Sequence, residues 1–123
     1  MSHFLLRFRY VPSAIRSFVE RPDEDRAARA SALVASLGGK LLGYWYAFGE
    51  FDGMAIVEAP DASVAAAVAM AVGGTGEVSR IETTVLMTME EARRALHRAS
   101  TATHLPAGEE GARGRRPSST RAG

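Results

Sequence analysis

At 123 residues, 46% apolar and 24% charged with a formal net charge of +1, the chain has room for one domain of two packed layers and no charge bias toward nucleic acid or membrane. The absence of cysteine excludes disulfides, thiolate nucleophiles and thiolate metal sites, and suits a reducing, cytoplasmic setting. No run approaches the roughly 20 apolar residues of a membrane span, and the opening Met1 to Arg7 meets charge too soon for the core of a signal peptide.

In chain order, Phe4, Leu6, Phe8 and Tyr10 fall on one face of a first strand, with Leu5, Arg7, Arg9 and Val11 on the other. Pro12-Ser13 breaks it. Ala14 to Val19 predicts a short helical turn, and Pro22 then suits a helix N-terminus. That placement puts Asp23, Glu24 and Asp25 in a first turn, where the helix dipole favours acids. The apolar stripe Ala27, Ala30, Leu33, Val34 and Leu37 carries the helix on until Gly38-Gly39 stops it.

Gly43 to Glu58 reads as a β-hairpin, with strands over about Lys40 to Phe48 and Asp52 to Glu58. Tyr44, Tyr46 and Phe48 share one face of its first strand and Gly43, Trp45 and Ala47 the other. Gly49 and Gly53 bracket the reversal, where positive φ or a bulge is expected. Asp61 is a candidate N-cap for the Ala- and Val-rich run Ala62 to Val72, which Gly73, Gly74 and Gly76 end. The same glycines follow their helix and lack a Gly-Lys-Ser/Thr ending, so they do not read as a phosphate cradle. Val78 to Met87 predicts a fourth strand, and Thr88 with Glu91 a capping box opening a helix to about Ala99.

The expected class is α+β: a ferredoxin-like split β-α-β-β-α-β with a four-stranded antiparallel sheet, helices on one face and a C-terminal helix. The domain is drawn at residues 1–99, and residues 100–123, rich in Ser, Gly, Pro and Arg, as a disordered basic tail. The other sheet face, carrying residues such as Tyr44 or Trp45 among Met, Ile and Val, is too apolar for water, and pairing of two copies covers it most simply.

Trp45 to Asp52, then Ala55 to Asp61, then Gly76-Glu77-Val78 with its Thr-rich strand, resemble the GYD domain family over about Phe4 to Leu96. Gly49, Phe51 and Asp52 stand at the signature positions, with Phe51 where the family usually has Tyr. The resemblance implies the ferredoxin-like fold and a dimeric α/β barrel, and no settled activity. A weaker likeness links the Gly49-Glu50-Phe51-Asp52 and Gly76-Glu77-Val78 segments to the ligand-binding domain of leucine-responsive and asparagine-type regulators. With no helix-turn-helix domain before these segments, direct regulation of transcription by this chain alone is not expected, and nucleic acid is not an expected partner.

Asp52 reads either as an Asx-type cap of its hairpin or as a paired acid or ligand anchor near Arg7, Arg9 or Arg80. Tyr44, Trp45 and Tyr46 read as core packing or as a stacking platform. Arg7 and Arg9, with Arg80 and Glu82 of the fourth strand, read as cross-strand ion pairs or an anion site. His3, His97 and His104 lack paired ligand spacing, so no metal is expected, and no cofactor is implied. The functional expectation is a homodimeric module that binds a small apolar or aromatic molecule. The alternatives are a cofactor-independent monooxygenase or isomerase using Asp52 or Tyr46 as acid or base, and a structural or partner-binding subunit.

Overall fold

The computed structural model describes residues 1–103. The chain divides into two units, residues 1–87 and a second that begins at Thr88. The first unit runs β1 (Ser2–Tyr10), α1 (Pro12–Glu20), α2 (Arg26–Ser36), β2 (Lys40–Tyr46), β3 (Gly53–Ala59), α3 (Ala62–Gly73) and β4 (Val78–Leu86). The four strands form one antiparallel sheet in the order β2-β3-β1-β4, the ferredoxin-like arrangement expected from the sequence.

The alternation of β1 sets the layers. Phe4, Leu6 and Phe8 are buried, and they join Ala55, Val57 and Ala59 of β3, Val34 of α2, and Ala65 and Val68 of α3 in the core. Fully burying a side chain such as Leu6 or Val57 contributes about 1.5–3 kcal/mol, so this seam holds helices and sheet together. β3 is small on this inner face, reading Gly53, Ala55, Val57 and Ala59, which leaves room above it for rings from the flanking strands.

Several local expectations are corrected. Pro22 lies between two helices instead of opening one, and Asp23 to Asp25 precede the second helix. Asp25 is its N-cap, accepting the Ala28 amide at 3.0 Å, whereas Pro12 is the proline that opens a helix. Gly49 and Gly53 do not take positive φ; among the described residues the left-handed glycines are Gly38 and Gly76, each shortly after a helix. Phe48 leaves the strand and is fully exposed in the loop from 47 to 52. Tyr44 faces the helices and not the open side of the sheet, where Trp45 packs over Gly43.

In the second unit, α4 (Met89–Ser100) opens with the expected capping box: Thr88 accepts the Glu91 amide and Glu91 accepts the Thr88 amide. The helix takes in Ser100, the first residue assigned to the tail, and the tail from 104 to 123 lies outside the described residues. Among the described residues no helix is long and apolar enough to cross a membrane.

Candidate functional site

Between the inner sheet face and the helices of the first unit lies a cavity of about 250 Å³. Its walls are apolar, from Leu6, Leu33, Leu41, Val57, Val68 and Val72 among others, with polar groups gathered from Tyr10, Arg26, Arg29, Tyr44, Thr75 and Glu77. This make-up, a greasy body with a few convergent polar atoms, is the usual one for a small-molecule site.

The polar end is built by the small face of β3. Tyr10 of β1 and Tyr44 of β2 flank β3, and their hydroxyls share a hydrogen bond. A Cβ at Gly53 would lie 2.9 Å from the Tyr10 hydroxyl oxygen and 3.2 Å from the Phe8 ring, so the bare backbone there is what admits the rings. Phe18 of α1 meets Tyr10 edge-on at 4.8 Å between centroids, and Tyr46 closes the cluster against Tyr10, Phe18 and Tyr44. Burial pushes both Tyr10 and Tyr44 above the ordinary tyrosine range, so each hydroxyl stays protonated.

Arg26, at the start of α2, lies with its guanidinium 4.2 Å above the Phe18 ring and its side chain only 9% exposed. It pairs with Glu24 at 3.2 Å and donates to the carbonyls of Ser17 and Arg21, tying the α1–α2 connection. Arg29 stands 3.9 Å from Glu77. Each cationic side chain lining the cavity thus has an acidic neighbour.

A wider hollow of about 380 Å³ shares Tyr10, Phe18 and Arg26 and adds Tyr46, Phe48 and Asp52. The two acid–base candidates, Asp52 and Tyr46, therefore meet here. Asp52 is tied to the sheet: its amide donates to Phe8 O at 2.8 Å, its carbonyl accepts from Ala47, and its Oδ2 accepts the Tyr10 amide at 3.0 Å. That carboxylate spans to a neighbouring strand where an Asx cap would have stayed within the hairpin, and it has no arginine partner among the described residues.

The strand arginines, Arg7, Arg9 and Arg80, lie apart from the cavity, on the other sheet face. Arg7 pairs with Glu82 at 2.9 Å across the β1–β4 register, and Arg80 pairs with Glu82 at 2.6 Å and Glu50 at 3.5 Å. Buried Phe51 has the Arg7 guanidinium 4.5 Å and that of Arg80 5.1 Å from its ring centre. Arg9 is exposed opposite Arg80. Of the residues singled out from sequence, Tyr44 lines the cavity, Tyr46 and Asp52 line the hollow, and Arg7, Arg9, Trp45 and Arg80 line neither. Tyr10, Phe18 and Arg26 were missed as site residues, because strand alternation marked Tyr10 as core and the two helical residues carry no motif.

The sequence model of the GYD domain matches residues 4–96, three quarters of the chain. The chain belongs to the GYD domain family. In this GYD chain, Gly49, Phe51 and Asp52 lie in the β2–β3 loop, with Asp52 bonded to β1 and the Phe51 ring beside the guanidinium groups of Arg7 and Arg80. No curated protein matches the sequence. Among solved structures, the chain is similar to FFRP-DM1 at 14% identity and a TM-score of 0.48, covering 71% of this chain and 100% of that one. It is similar to MtbAldR at 16% identity and a TM-score of 0.47 over 71% of this chain, spanning about half (52%) of that protein. A NIPSNAP-like domain protein from Burkholderia xenovorans aligns at 15% identity and a TM-score of 0.45, over 85% of this GYD chain and 90% of its own.

Proposed function

We propose that this GYD protein is a homodimeric module that binds a small apolar or aromatic molecule in the cavity between sheet and helices. The observation that carries the proposal is the cavity itself, a largely apolar space lined by Tyr10 and Tyr44, whose hydroxyls are hydrogen-bonded to each other. Pairing of two copies over the open sheet face is supported by its apolar residues, Leu5, Met54, Ile56 and half-exposed Trp45. Native mass spectrometry of the full chain purified from its own host tests both parts. The expected species is a dimer that releases a small molecule under harsh activation. A chain that carries no adduct, and shows no thermal shift with a broad panel of apolar metabolites, would overturn the binding role.

A second reading, catalysis with Asp52 and Tyr46 as acid and base, is supported by their meeting in the wider hollow. Asp52 Oδ1 has no partner among the described residues. Unchanged turnover of the bound compound in both Asp52→Asn and Tyr46→Phe excludes it.

A further inference from the structure

The cavity's polar groups also restrict what it accepts. A hydroxyl pair holds two hydrogens, and one of them is used between the partners. The second hydrogen has no acceptor among the described residues, although both rings line the cavity. The part-buried pair therefore offers one hydrogen to an acceptor that enters the cavity. Because burial holds both hydroxyls protonated, the donor persists across the neutral range.

Both arginines that line the cavity are paired before any ligand arrives. Arg26 is matched by Glu24 at 3.2 Å, and Arg29 by Glu24 at 3.2 Å and Glu77 at 3.9 Å. Glu24 is shared with exposed Arg21 as well, so an incoming carboxylate would have to compete with an existing ion pair to reach either cation of the cavity wall. An incoming ammonium would face the mirror problem. An uncharged acceptor loses less solvation on entry and gains the free hydrogen.

Resting on the cavity reading above, we infer that the ligand is an uncharged, largely apolar molecule whose polar group is a carbonyl-type acceptor, seated against the Tyr10–Tyr44 pair. The aromatic cluster of Phe8, Tyr10, Phe18 and Tyr44 beside that donor favours a flat ring system next to the carbonyl. The pair also sets an unusual pattern for variants. Removing either hydroxyl alone leaves the other with a hydrogen to donate, so only the double change abolishes the donor.

Equilibrium dialysis of the full chain against three probes sharing one ring system tests this: 2-acetylnaphthalene, 2-ethylnaphthalene and 2-naphthoate. The ketone is expected to bind about tenfold more tightly than the hydrocarbon, the worth of one hydrogen bond, and at least about tenfold more tightly than the carboxylate. Tyr10→Phe and Tyr44→Phe each keep most of the ketone preference, and the double variant loses it while still binding the hydrocarbon. Tightest binding of the carboxylate overturns the inference in favour of an acid site. Equal binding of ketone and hydrocarbon by the unaltered chain overturns it while leaving the cavity reading in place. Failure of all three probes to bind overturns both.

Discussion

The side-chain carboxylate of Asp52 accepts the backbone amide of Tyr10, joining the β2–β3 loop to β1 where the β1–β4 register shifts between Arg9 and Tyr10. The last β1–β3 pair is Phe8 with Gly53, so Asp52 continues the bonding one step beyond the ladder with a side chain in place of a backbone carbonyl. Asp52→Ala leaves the Tyr10 amide unmatched and is expected to cost about 1–3 kcal/mol by urea denaturation. Asp52→Asn keeps an acceptor oxygen and is expected to cost less than half as much. Equal losses in the two variants would show that the charge, and not the acceptor, matters.

Gly53 is constrained by a neighbour and not by its own φ. Gly53→Ala drives a methyl to within 2.9 Å of the Tyr10 hydroxyl and 3.2 Å of the Phe8 ring, both parts of the packed inner face. The expected loss is about 1–3 kcal/mol, as for other overpacked sites, together with weaker ligand binding as the Tyr10 and Phe8 rings of the cavity wall are displaced. Gly49→Ala is the control, since nothing lies within 4 Å of its Cβ position, and its stability change is expected within about 0.5 kcal/mol.

The tyrosine pair predicts an alkaline limit. Both hydroxyls titrate above their ordinary value in the folded chain, chiefly through burial, so the unfolded chain releases these protons first. Their contribution is therefore intact below about pH 10 and is lost as pH rises further, at up to about 1.4 kcal/mol per pH unit for each tyrosine. The Tyr10→Phe/Tyr44→Phe double variant is expected to give a flatter stability curve between pH 10 and 12 by urea denaturation. Parallel curves for the two proteins would contradict it.

Much of the frame was legible because it rests on period two and on capping chemistry. The face of β1 could be read from Phe4, Leu6 and Phe8, and the start of α4 from Thr88 and Glu91, since each signal is local. The α1–α2 junction was misplaced because three successive acids suit either a first helical turn or the residues before it. Only tertiary contact, Arg26 lying on Phe18 and tying Ser17 and Arg21, separates the two. The site was half legible: alternation placed Tyr44 and Tyr46 together, but their meeting with Tyr10 depends on the strand order, which puts β3 with its bare Gly53 between β2 and β1. A glycine flanked in register by Phe8 and Tyr46 was the available clue.

Trp45 offers a direct reading of the open sheet face, because it is the only tryptophan and stands half exposed beside Met54 in the β2–β3 register. Leu5 and Ile56 are register partners one pair further along the same face, so a charge at Ile56 falls in the middle of any surface that covers Trp45. Ile56→Glu leaves the inner core untouched, as its side chain points away from Val57 and Ala55. If two copies pair through this face, the variant is expected to halve the native mass and shift Trp45 emission to longer wavelength, with the thermal midpoint becoming independent of concentration. Burying a lone carboxylate at such a seam costs several kcal/mol, enough to dissociate a micromolar dimer. An unchanged dimer mass in Ile56→Glu would place the contact elsewhere, and an emission shift without a mass change would mean that Trp45 responds only to its new neighbour.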